Sequence, residues 1–158
     1  MTPEQRSQWN LYSCVPRCII ALAELRGKPI LDDEFVNMFE GALPEWKNRF
    51  GLTSIGDAIR IIATLEIGSK PVHIHSVGEF QDFINAGGKV AHALVLTHKA
   101  WSQEHKQLVE VHHCRLLLGF ESDTPNLILM SPAQDGKCYE ERMSTSELSE
   151  VQAEFFVV

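Results

Sequence analysis

The apolar residues of this chain follow two rhythms. Through Gly88 they recur every three or four positions, the spacing of one helix face. Beyond it they gather in short runs rich in Val, Leu and Ile. In the first half, PRCIIALAELRG places Cys18, Ala21, Leu22 and Leu25 on one stripe and stops at Gly27, ahead of Pro29. LDDEFVNMFEG offers Asp32 or Asp33 as an N-cap, with Phe35, Met38 and Phe39 as the inward face. TSIGDAIRIIATLEIG repeats the spacing through Ile55, Ala58, Ile59, Ile62 and Leu65. SVGEFQDFINAGG opens on Ser76 and Glu79 at capping-box spacing and closes on Gly87 and Gly88.

In the second half, KVAHALVLT, QLVEVHHCRLLLGFE and NLILMS read as strands separated by polar turns. A short helix is expected from Ser144 or Thr145, and AEFFVV reads as a last strand. Helices followed by consecutive strands predict an α+β fold with a mostly antiparallel sheet. No repeat or Pro/Gly/Ser-rich linker interrupts the pattern, so residues 1–158 are expected to form a single domain. A chain of this length buries about 70% of the surface its unfolded form exposes.

Charge and composition narrow the partners. The chain is 44% hydrophobic and 22% charged, as globular proteins are, with a formal net charge of −7 and no basic run. Nucleic acid is therefore not an expected partner, since phosphate binding needs a basic surface. MTPEQRSQWN lacks the apolar core of a secretory signal, and the longest apolar runs, CIIALA and LILM, are too short to span a bilayer. The expectation is a soluble, cytoplasmic protein. Its four cysteines then read as buried thiols, metal ligands or a nucleophile rather than a disulfide framework.

Cys14 stands out among them. Pro16 fixes the start of the first long helix, because proline is tolerated only in the first turn. Cys14 therefore sits at the helix mouth, where backbone N–H groups and the positive dipole end favour the thiolate. Plain packing of a small side chain is the competing reading. Cys18, four residues along the same stripe, reads as core.

The seven histidines supply candidate bases. His98 and His105 fall in or beside the polar loop THKAWSQEHKQ and are expected to be solvated. His73 and His75 alternate in PVHIHS, a candidate edge strand, and His92 reads as a sheet or core histidine. His112 and His113 share a strand and must face opposite sides, so only one can enter a given cleft. Either suits a general base by its ordinary pKa.

Together, these pieces resemble the double-glycine-leader, bacteriocin-processing cysteine peptidases and their papain-like relatives. The resemblance starts with Gln8, five intervening residues and Cys14, followed by an aliphatic helix. It continues through GGKVAHALVLTH, then His113 with Gly119 and Phe120 downstream, and ends on the strand LILMSP. It implies a papain-like fold, a helical N-terminal half packed on a C-terminal sheet. It also implies Cys14 as nucleophile, His113 as base, and Gln8 as an oxyanion donor beside the Cys14 N–H. The loss of one such donor typically lowers the rate ~10²–10³-fold.

The chain departs from the family at Ser131, which precedes Pro132 where the family has Asp. A hydroxyl brings no charge to steady an imidazolium, and loss of a triad acid elsewhere lowers activity by up to ~10⁴. Asp135, in AQDG, is either a substitute acid or a turn former.

The expected activity is cleavage of a peptide or protein amide bond through a thioester, with no metal or organic cofactor. Glutamine deamidation, acyl transfer and plain peptide binding are the alternatives on the same fold, in a cytoplasmic protein or a delivered effector. Zinc on Cys14, Cys18, His112 and His113 is disfavoured, because these residues lack C-x2-C or H-x3-H spacing.

Overall fold

A computed structural model describes residues 1–39 and 55–158. Among these residues the chain is α+β, with six helices and a six-stranded antiparallel sheet. The helices are α1 (Pro3–Tyr12), α2 (Cys14–Leu25), α3 (Asp32–Phe39), α4 (Ile55–Leu65), α5 (Val77–Asn85) and α6 (Thr145–Glu150). The strands are β1 (Val72–Ile74), β2 (Ala93–Ser102), β3 (Gln107–Phe120), β4 (Asn126–Pro132), β5 (Cys138–Ser144) and β6 (Glu154–Val157), in spatial order β1-β6-β2-β3-β4-β5. The chain gathers into two compact units. One comprises Met1–Lys70 with Ser131–Tyr139, the other Pro71–Met130 with Glu140–Val158. The last two residues of LDDEFVNMFEG and the first two of TSIGDAIRIIATLEIG lie outside the described residues.

In the first unit α2 packs against α3 and α4. Cys18, Ile19, Leu22 and Ala23 are fully buried, so Cys18 is core as expected, while Leu25 at the end of the predicted stripe is 52% exposed. The helix ends in a paired hydrogen-bond cap, Gly27 N–H to Glu24 O and Lys28 N–H to Ala23 O, which satisfies two of its last carbonyls. Two predicted faces turn out rotated. In α3 the buried residues are Phe35, Val36 and Phe39, whereas Met38 is 52% exposed; in α4 Ile61 joins Ala58 and Ile62 while Ile59 is half-buried. The face of α3 is set by the edge of Trp9 against Phe35, at 6.2 Å and 60°, and by Phe35 against Phe39.

Helix α1 was not expected from the pattern, since only Trp9 along it is buried. Its start is a capping box: Gln5 N–H donates to Thr2 Oγ1, and Thr2 N–H donates to the Gln5 side chain. Its position is set by Asp32, whose Oδ2 accepts from Trp9 Nε1 at 3.0 Å and from Arg6 Nη1 at 2.7 Å.

The end of the β4–β5 hairpin also belongs to this unit, and a single side chain fastens it. Arg17, in the first turn of α2, is buried and donates from Nη1 to Ala133 O at 2.7 Å and from Nη2 to Lys137 O at 2.8 Å. Gly136 turns the hairpin at φ +85°, and a Cβ there would approach the Asn10 side chain to 3.0 Å.

The second unit is the sheet with α5 and α6. Its core joins Val77 and Phe80 of α5 and Leu148 of α6 to Ala93, Val95, Leu117, Leu127, Leu129, Phe155 and Val157 on the strands. Phe80 stacks on Phe155 at 4.1 Å with planes 6° apart. Helix α5 begins at Ser76, whose hydroxyl accepts from Glu79 N–H, and the Glu79 carboxylate accepts from His75 N–H instead of closing the box on Ser76. It ends at Gly87, at φ +89°, where a β-carbon would be strained. Strand β2 runs past Thr97 to Ser102, so the polar residues THKAWS form a strand, not a loop.

Arg17 generates a direct test. Replacing it with Met removes two part-buried, charge-assisted hydrogen bonds and should destabilise the protein by about 1–3 kcal/mol in urea denaturation. A change below about 0.5 kcal/mol would mean that the clamp carries little.

Candidate functional site

Cys14 is the first residue of α2 and is half-buried, while Val15, Pro16, Arg17 and Cys18 behind it are buried. Ser13 occupies the N-cap position but makes no side-chain cap, turning its hydroxyl back to donate to Trp9 O. The thiol therefore stands where the partial positive charge of the helix start is not masked by a capping oxygen. Arg17 lies three residues on, on the same helix face by spacing, and adds a fixed positive charge. Its main-chain acceptors, Ala133 O and Lys137 O, are neutral carbonyls. Both influences favour the thiolate.

Gln8 is exposed on α1. Ser131 is buried near the end of β4, and strand alternation puts it on the face opposite Met130, which sits across from Leu116 of β3. Gln8, Cys14 and Ser131 thus belong to one compact unit and His113 to the other. Asp135 is engaged in its own turn. It accepts from Lys137 N–H at 2.9 Å and from the Tyr139 hydroxyl, and these bonds, the Tyr139 one foremost, hold its carboxyl below the usual range.

In the second unit His113 is half-buried on β3, directly across from Thr97. Thr97 accepts from Arg115 Nη1 at 2.9 Å, and Arg115 Nε is paired with Glu141 at 2.8 Å, so the guanidinium near His113 is neutralised. His112 is exposed and faces the other way.

There the sequence reading missed a second constellation. His98 is not solvated in a loop: it lies on β2, and its Nε2 pairs with Glu154 Oε2 on β6. His73 Nε2 meets the other oxygen, Oε1, at 2.7 Å, and His98 Nδ1 stands 3.0 Å from His112 Nδ1. His73 and His75 lie on and just beyond edge strand β1, as expected, with their rings 3.8 Å apart. Burial opposes ionisation of Glu154 but is outweighed by the hydrogen bonds from His73 and His98 and by their charge, which leave its carboxyl below the ordinary value. The alternation in PVHIHS was the visible signal; the carboxylate, 81 residues from His73, was not.

No protein-family model and no curated protein matches the sequence. Among the described residues no helix is long and apolar enough to cross a membrane.

The Glu154 network fixes an acid limb. A carboxyl lowered on folding adds stability above its unfolded value, 4.5, and loses it as the pH falls through the folded value. Thermal unfolding followed from about pH 5 to pH 3 should fall less steeply in Glu154→Gln than in the parent chain. Parallel curves would contradict the network's contribution.

Proposed function

We propose that the chain is a cysteine-dependent hydrolase of peptide or protein amide bonds, with a papain-like arrangement in which Cys14 is the nucleophile and His113 the base. The observation that carries this reading is the half-buried thiol at an uncapped helix start, with the Arg17 charge one turn behind it. In the reaction His113 takes the thiol proton, and the thiolate attacks the carbonyl carbon. The Gln8 side-chain amide and the Cys14 backbone N–H receive the oxyanion. His113 then protonates the leaving amine as the C–N bond breaks. Water, activated by the same imidazole, hydrolyses the thioester and restores the thiol. Deamidation of glutamine uses the same steps with ammonia as leaving group.

The position of the family's acid holds the neutral Ser131 in this scheme, and Asp135 is held in its turn. Those two features favour a second reading, a peptide-binding module with a weakened nucleophile.

Cysteine labelling separates the two. Cys138 is the strongest competitor, being exposed and 3.8 Å from Arg17 Nη2, while Cys18 and Cys114 are buried. Accessibility alone therefore predicts that iodoacetamide modifies Cys138 first. The hydrolase reading predicts that Cys14 leads at mildly acidic pH, read by mass spectrometry, and that Cys14→Ser abolishes turnover of any amide substrate found. Labelling of Cys138 ahead of Cys14 would favour the binding module.

A further inference from the structure

The imidazoles around Glu154 form a cluster that the hydrolase reading does not use. Strand register explains why they meet. On β1 His73 lies opposite Phe156 of β6, and Glu154, two residues earlier on β6, lies opposite Leu96 of β2. His98 follows Leu96 by two, so His73, Glu154 and His98 share one sheet face. A register shift between Thr97 and Lys99 lets β3 bring His112 alongside His98. Two of these residues are also held by further contacts. His73 stacks on Phe156 at 4.2 Å with planes 13° apart. The backbone N–H of His98 donates to Val151 O at 2.9 Å, latching β2 to the loop before β6.

The donor atoms of His73, His75 and Glu154 lie within 4.8 Å of one another. Ligands about 2.0–2.1 Å from a tetrahedral ion stand roughly 3.3 Å apart, so small side-chain rotations close this set around one ion. We propose that His73, His75 and one Glu154 oxygen bind a single zinc-class divalent cation. His98 holds the second carboxylate oxygen and is itself held by His112, the outer hydrogen bonding that metal-ligating groups require. Two imidazoles and a carboxylate select a borderline transition ion over Mg²⁺ or Ca²⁺, which take oxygen sets.

A pocket of about 380 Å³ adjoins the cluster, its walls including His75, Ser76, His98, Ser149 and Glu154. It has room for water or a further donor. The ion would tie the three-residue edge strand β1 to β6.

Zinc chloride titrated into the full chain by calorimetry, with thermal unfolding in parallel, tests the site. The expected result is one ion bound per chain and a rise in Tm that grows with zinc concentration, with no response to magnesium. His75→Ala should weaken binding by more than about 100-fold, and His98→Ala, a positioning change, by about 10–100-fold. The double variant Cys14→Ser/Cys138→Ser should bind zinc as the parent does, which keeps this result independent of the hydrolase reading. Cobalt loading should give a visible spectrum without a sulfur charge-transfer band. Binding unchanged in His75→Ala, binding lost in the cysteine variant, or no binding at all would each overturn the proposal.

Discussion

The first compact unit depends on one buried cation. Arg17 reaches from the first turn of α2 to the carbonyls of Ala133 and Lys137, so the same residue closes a hairpin and anchors a helix start. A buried guanidinium is tolerable only when it finds acceptors, and here two main-chain oxygens and the Cys138 sulfur take bonds from its terminal nitrogens. The two main-chain acceptors are neutral, and the Arg17 charge is felt by the Asp135 carboxylate in the same hairpin turn. The contact therefore fastens the hairpin end to the helix that begins at Cys14.

The second unit balances charge differently. Arg115 near His113 is cancelled by Glu141, while Glu154 on the other sheet face collects imidazoles from β1 and β2. The two arrangements suit different tasks. A half-buried thiol at a helix start, with a guanidinium three residues on, suits nucleophilic chemistry. A carboxylate ringed by histidines suits a cation.

Features governed by neighbouring residues were legible in the sequence. The caps at Gly27 and at Gly87–Gly88, the start at Ser144 and the burial of Cys18 all follow from short-range rules, and all are found. Helix α1 escaped because its apolar stripe amounts to Trp9. Its visible mark was Thr2, Pro3 and Gln5, a capping box with proline in the first turn. The rotated faces of α3 and α4 reflect which neighbours each helix meets, information that periodicity does not contain. His98 was misread because a long polar hairpin looks like a loop until its partner strand is known. The Glu154 cluster was beyond reach for the same reason: it is assembled by strand pairing across most of the second unit.

The proposed hydrolase reaction requires that Cys14 be an activated thiol coupled to His113. The most direct measurement follows thiolate formation at Cys14 against pH by ultraviolet absorbance, using Cys14→Ser to isolate the signal. The account predicts that the thiolate is already present in mildly acidic solution and that His113→Ala moves its formation upward by about one pH unit or more. An ordinary thiol midpoint in the parent chain, unmoved by His113→Ala, would contradict it.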